Sequence, residues 1–438
     1  MIDFKKVHST IGRHQLADGM PVVQDLQRSH GAWFFDGVTG SEFLDCYTGF
    51  ASWPVGYNHP MMDEPEFVKA IGTAARNNPA NSDVYTQQMA EFVDAFGSRV
   101  TPAEYTHHFW VAGGALAVEN TLKTAFDWKA RKLGRTSMED SVNDLSILHF
   151  RQAFHGRSGY TMSLTNTVPD KVGLFPKFDW PRVLNPYVEF DHDGNLVGDY
   201  EAREAQSVAE IEKAFQDSGN KIAAIIIEPI QGEGGDNHFR PEFLAQLRRI
   251  ADEKEALLIF DEVQTGFYGT GKPWYWQHTG VQPDLVAFGK KTQVCGFYAN
   301  SRVEEVKDNV FARSSRINST WGGNLVDMVR CKRFIDIIEQ ENLAANITAR
   351  GQELVTGLRQ ISKEKGGFSN ARGVGSWAAI TLETPEQRDG MIKSLFDQKL
   401  LGLAAGTRSV RFRMPLIISA EEVSQILERV ASALPAAV

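Results

Sequence analysis

Two lysines and an aspartate hold the most reactive chemistry in this sequence. The apolar run ALLIF ends in Asp261, and after a connecting segment the run PDLVAFG ends in Lys290 and Lys291. A lysine amine becomes a covalent catalyst when its surroundings lower its pKa and a carbonyl partner can condense with it. Pyridoxal 5'-phosphate is a common partner of this kind. It needs an acid for its pyridinium nitrogen, an anion site for its phosphate and a flat group against its ring. Asp261 answers the first need, because a carboxylate there keeps the ring protonated. Gly113-Gly114-Ala115, between strand-like HHFWVA and a helical segment, answers the second, since free backbone N–H groups and the helix dipole favour a phosphate. Phe154-His155-Gly156-Arg157, just after LSILHF, brings an aromatic face, an imidazole and a guanidinium.

Residues so far apart in sequence can share one ligand only if strand ends bring them together. The apolar runs at 107–112, 145–150, 222–229, 256–262 and 284–289 are separated by helical or looped segments. Continuous runs of this kind predict a mostly parallel sheet covered on both faces, with its ligand beyond the carboxyl ends of the strands. Helical spacing predicts helices over 66–76, 85–99 and 115–132, with Asn81-Ser82-Asp83 as a cap between the first two. After about Asn324 the pattern changes to amphipathic helices over 325–340 and 343–365, strands near 373–382 and 409–413, and a final helix from Ala420. The expected organisation is an N-terminal segment, 1–60, packing with the small unit, a large cofactor-binding domain, 61–324, and a small C-terminal α+β domain, 325–438. Turn signals at Asp36-Gly37 and Thr39-Gly40 predict a hairpin within the first segment.

The whole chain sets limits on the partner. With 438 residues, 42% of them hydrophobic and 23% charged, it has the composition of an ordinary globular protein. Its 55 acidic against 46 basic residues disfavour a nucleic-acid or anionic-membrane surface, which leaves small molecules as the expected ligands. Three cysteines without CxxC spacing fit a reducing cytoplasm, and no apolar run approaches the ~18 residues that span a bilayer. Gly266-x4-Gly271-Lys272 has the spacing of a nucleotide-binding P-loop, but Pro273 stands where a magnesium-binding hydroxyl belongs. His107 and His108 are strand neighbours that point to opposite faces, so no metal site is expected.

At this level of detail the residues resemble a known family. DEVQTG at 261–266 followed by PDLVAFGK at 283–290 is similar to the signature of the class III (ornithine/4-aminobutyrate type) pyridoxal-phosphate aminotransferases. FGKKTQVCG, AFHGRSGYTMSLTNT (153–167), FPKFDWPR (175–182), EPIQGEGGDNHFRPEF (228–243) and NSTWGGNLVDMVR (318–330) resemble the branch of that family that acts on the ε-amine of L-lysine. The resemblance runs from about Ser82 to Met414.

The resemblance implies an α/β, fold type I transferase with a mostly parallel seven-stranded sheet in its large domain. It implies that Lys290 forms the Schiff base with the cofactor, that Asp261 pairs with the pyridinium and that Gln264 lies by the phenolic oxygen. Gly114 and Ala115 are then phosphate contacts, Phe154 stacks on the ring, and Thr320 reaches the phosphate of a neighbouring subunit, which implies a homodimer with shared sites. Arg157 and Arg411 fall on the two substrate carboxylates, and Glu233 on an acid that pairs with Arg411 and then swings away. The implied reaction moves the ε-amino group of lysine to 2-oxoglutarate, giving 2-aminoadipate 6-semialdehyde and glutamate. An alternative donor is another ω-amine such as ornithine, 4-aminobutyrate or a diamine. The sequence departs from the family at Trp53 and Pro54, where small residues are usual, and at Met414, where proline is usual. Trp53 either narrows the substrate channel or packs away from it.

Overall fold

The structure, a computed structural model, describes residues 2–434. Residue 1 and residues 435–438, which end the expected first and last units, lie outside the described residues. A seven-stranded sheet forms the centre. Across it the strands run His107–Val111, Cys295–Ala299, Leu285–Phe288, Leu257–Asp261, Ile222–Ile227, Ser146–Phe150 and Arg182–Val183. All pairings are parallel except those of Cys295–Ala299, which is antiparallel to both neighbours.

The apolar runs form central strands because both faces are covered. Leu257, Ile259, Leu285 and Ala287 face a core shared with Val118, Leu122 and Ala125 of the helix Gly114–Lys132. Their neighbours Leu258, Phe260, Val286 and Phe288 face an opposite core built with Phe92, Phe96, Phe243 and Leu247 from the helices Gln87–Arg99 and Pro241–Glu253. Alternate side chains therefore enter different cores, and each strand stays apolar at every position.

Cys295–Ala299 is a strand that the sequence pattern hides. Its register sets Gly296 between Phe288 and Trp110, and a side chain at Gly296 would collide with the Phe109 carbonyl. The segment therefore carries a glycine and lacks a continuous apolar run. The cap expected at residues 81–83 is also displaced. Thr86 Oγ1 accepts from Met89 N at 3.1 Å to start the helix Gln87–Arg99, while Asn81 donates to the Gly323 carbonyl.

The helices Leu325–Gln340 and Leu343–Lys365 follow Asn324, whose side chain caps the first of them. Beyond them lies an antiparallel four-stranded sheet, Ser369–Val374, Trp377–Thr381, Ser409–Arg413 and Leu403–Ala405, with the helices Pro385–Asp397 and Ala420–Ala433. Trp33–Asp36 and Ser41–Asp45 form the N-terminal hairpin, and its second strand pairs in parallel with Leu400–Leu401. We propose that the large and small units divide near Asn324 and that the hairpin belongs with the small one. Among the described residues no helix is long and apolar enough to cross a membrane.

Candidate active site

Five strands reach the same edge of the sheet with their carboxyl ends, and each delivers a part of one cleft of about 290 Å³. His107–Val111 leads into Gly114 and Ala115, and Ser146–Phe150 into Phe154, His155, Gly156 and Arg157. Ile222–Ile227 ends beside Glu228, Leu257–Asp261 ends in Asp261 and leads to Gln264, and Leu285–Phe288 leads to Lys290.

Asp261 is buried, and its Oδ2 lies 2.8 Å from His155 Nδ1 while its Oδ1 accepts from Val263 N at 3.1 Å. His155 Nε2 is buried without a partner among the described residues. The sequence shows the imidazole but not its contact, because 106 residues separate the pair. Glu228, which sequence reasoning missed, is an acid immediately after a strand, the same signal that marks Asp261. It ties two segments of the cleft together, accepting from Phe154 N at 2.9 Å and Gly232 N at 3.0 Å. Burial raises its carboxyl to about 7, an effect opposed by His155 and reinforced by Asp261.

Lys290 sits at φ 50°, in the left-handed region, just after Gly289. A side chain at Gly289 would come 2.9 Å from Cys295 Sγ, so the turn that presents Lys290 has no space there. The Lys290 amine makes no hydrogen bond among the described residues. Loss of water, and after it the charge of Arg411, lower its pKa to about 8, against the pull of Asp261 and Glu228. Lys291 takes another course. It is buried, and its ammonium donates to the Gln264 carbonyl beneath Gly269, where a Cβ would meet Lys291 Cε at 2.7 Å.

The helix Gly114–Lys132 begins at the cleft with no side-chain cap and no acid in its first turn. Such an end presents free N–H groups and the positive pole of a dipole, which suits a phosphate. The chain keeps space beside it. Gly156 has φ 127°, and a Cβ there would lie 2.6 Å from Ala115 Cβ. A free amine, an acid braced by an imidazole, an aromatic ring and an uncapped helix end are together the donor set that pyridoxal phosphate requires.

Of the substrate residues expected from the sequence, Arg157 lines the cleft at its exposed rim. Arg411 is buried and makes no ion pair among the described residues, and its Nε has no partner. Its neighbour Arg413, by contrast, binds Asp236 through two contacts of 2.6 Å and lies over Trp377. Glu233 is expected to pair with Arg411 and then swing away. In the structure its Oε1 accepts from Thr167 Oγ1 at 2.5 Å and Lys171 Nζ at 2.8 Å. Two donors of the same chain can satisfy that carboxylate, whereas Arg411 offers one countercharge in a buried site. Thr320 is exposed and lies outside the cleft of its own chain, and its carbonyl accepts from Ser82 Oγ at 3.1 Å. Trp53 is absent from the cleft lining and packs edge-on to Phe334, with 5.7 Å between ring centres. Met414 is buried in the main core.

A mostly parallel seven-stranded sheet with this cleft at its carboxyl edge defines a pyridoxal-phosphate-dependent transferase of fold type I. The chain belongs to the class III aminotransferases: the Aminotransferase class-III family matches residues 16–434. It is 46% identical over 436 residues to the L-lysine-epsilon aminotransferase of Amycolatopsis lactamdurans, covering 99% of this chain and 96% of that one. Identity to the L-lysine-epsilon aminotransferase of Mycobacterium tuberculosis is 47% over 432 residues, covering 98% and 95%. A solved structure of the lysine aminotransferase from M. tuberculosis in the internal aldimine form matches with a TM-score of 0.94, 46% identity and 99% of each chain covered. A 4-aminobutyrate aminotransferase of Dictyostelium discoideum is 31% identical over 424 residues, covering 92% and 83%. Pyridoxal 5'-phosphate is the cofactor of this enzyme class and of this chain.

Proposed function

We propose that the chain transfers the ε-amino group of L-lysine to 2-oxoglutarate, giving 2-aminoadipate 6-semialdehyde and L-glutamate. The observation that carries this reading is a buried Arg411 guanidinium that makes no ion pair among the described residues and is close enough to Lys290 to lower its pKa. A cation left unpaired in a buried site is costly unless an anionic ligand arrives to meet it. The carboxylate beside the reacting carbon of glutamate or 2-oxoglutarate is such an anion. The near-full-length likeness to lysine-epsilon aminotransferases supports lysine as donor.

When bound, the cofactor supplies an electron sink that acidifies the carbon bearing the amine. The protein supplies position and protons. Asp261, braced by His155, would hold a proton on the ring nitrogen, Phe154 would cover the ring, Gln264 would meet the ring oxygen, and the Gly114 and Ala115 amides would hold the phosphate. Lys290 Nζ would hold the cofactor and, as a free neutral amine, would take the proton from the reacting carbon and return it. An amine at about 8 is roughly a tenth neutral at pH 7, whereas an ordinary lysine at 10.5 is almost wholly charged. Arg157 holds the distal carboxylate through the planar fork of its guanidinium. Arg411 takes the near carboxylate of the oxo acid while Glu233 stands aside, and Glu233 neutralises Arg411 when the uncharged methylene of lysine replaces that carboxylate.

We further propose a homodimer in which Thr320 reaches the partner's phosphate, which its exposed position supports. Trp53 packs on Phe334 rather than lining the cleft, and this supports lysine over an altered donor. A donor screen with 2-oxoglutarate as acceptor, reading both products, tests the reading. Lysine should give glutamate and a cyclising aldehyde. Glutamate from ornithine, 4-aminobutyrate or a diamine with none from lysine would overturn it.

A further inference from the structure

The Glu233 loop is held by its backbone on every side. Gly232 N donates to Glu228, Gly406 N donates to the Glu233 carbonyl at 2.7 Å, and Arg372 binds the Gly235 carbonyl. Gly234 packs against the Gln152 carbonyl with no space for a side chain. A change of partner at Glu233 is therefore a rotation of its side chain and not a movement of the loop. Its outer partners come from a separate segment. Thr167 follows the helix Gly159–Leu164, and Lys171 lies on the short turn Pro169–Val172, with its ammonium 5.6 Å from the centre of the Phe154 ring. The Lys171 side chain is about a third exposed and that of Glu233 less so, and both Thr167 and Lys171 donate to the same oxygen, Oε1.

We infer that Lys171 and Thr167 form a holding site for the Glu233 carboxylate, and that this site sets how available Arg411 is to the carboxylate of the oxo acid. The inference rests on the reading of Arg411 given above. Two cationic sites compete for one carboxylate, and a dicarboxylate binds only the fraction of molecules in which Glu233 is held outside. Its apparent affinity falls by that fraction. Lys171 is thus a specificity-determining residue: it favours the oxo acid over the diamino acid without touching either.

The test uses the holoenzyme and glutarate, an unreactive five-carbon dicarboxylate, titrated by calorimetry and by the cofactor's absorbance. Lys171→Met should shift the Glu233 equilibrium about fivefold, the scale of a partly exposed ion pair with its hydrogen bond, and so weaken glutarate by up to about threefold. Thr167→Val, a smaller change, should weaken it in the same direction. In the Glu233→Gln background, where no charge competes for Arg411, adding Lys171→Met should change glutarate affinity less than twofold. An equal loss in both backgrounds, or no loss in either, overturns the holding site. Arg411→Met separates this failure from that of the parent reading. If glutarate still binds that variant, the assignment of Arg411 falls and the inference with it. If binding is lost there but Lys171→Met has no effect, the holding site alone falls.

Discussion

Replacing Lys290 with methionine should stabilise the cofactor-free protein at neutral pH. The proposed function keeps this lysine in the cleft for its chemistry, but folding strips water from its amine and brings Arg411 close. Lowering an amine from 10.5 to about 8 corresponds to about 3 kcal/mol against the folded state at pH 7. Solvent still reaches the partly buried side chain, which reduces the expected figure to about 2 kcal/mol. Methionine keeps the length of the chain at the same φ of 50°, so backbone strain is common to both proteins. The sign follows from proton binding. The unfolded chain holds the Lys290 proton more tightly than the folded one, so wild-type stability rises as pH climbs from about 8 towards 10.5. The advantage of Lys290→Met is therefore full below about pH 8, shrinks through that window and vanishes above it. Denaturant midpoints of both proteins, stripped of cofactor, at pH 7, 8.5 and 10 provide the measurement. A methionine variant no more stable than wild type at pH 7, or an advantage that does not change with pH, would refute the reasoning.

Other substitutions separate residues that the sequence places side by side. Lys290→Ala should abolish turnover. Lys291→Met should retain it at a reduced rate, because Lys291 positions the Gln264 carbonyl and does not enter the cleft, and single-turnover absorbance distinguishes the two. Gly156→Ala should weaken cofactor binding at least tenfold, read by equilibrium dialysis, since the new Cβ falls 2.6 Å from Ala115 Cβ at a φ that disfavours any side chain. Asp236→Asn leaves Arg413 buried without its counterion and should cost about 3–5 kcal/mol in chemical unfolding.

The sequence shows the centre of the site better than its periphery. Asp261 and Lys290 stand out because apolar strands place few polar residues at their ends, and those ends face one crevice. Glu228 carries the same signal. What the sequence leaves hidden depends on tertiary contact. The Lys171–Glu233 pair spans 62 residues, and no spacing rule relates a short turn to a glycine-rich loop. His155 and Asp261 are joined only when two parallel strands with Ile222–Ile227 between them end at the same level. The antiparallel strand Cys295–Ala299 is masked because close packing demands glycine at its second position, which removes the hydrophobic pattern by which buried strands are found. Thr86 displaced the expected cap because its extended backbone, φ −121° and ψ 157°, leads directly into the helix.

The unpaired Arg411 has a practical consequence for handling the protein. A buried cation that makes no ion pair among the described residues should recruit small anions from solution, so under the proposed role of Arg411 acetate, sulfate and phosphate in a buffer should act as weak competitors of the oxo acid. Michaelis constants for 2-oxoglutarate should rise with the concentration of such anions while those for lysine change far less. Kinetics in a zwitterionic buffer at low anion concentration will therefore report a tighter oxo-acid site than the same enzyme shows in phosphate.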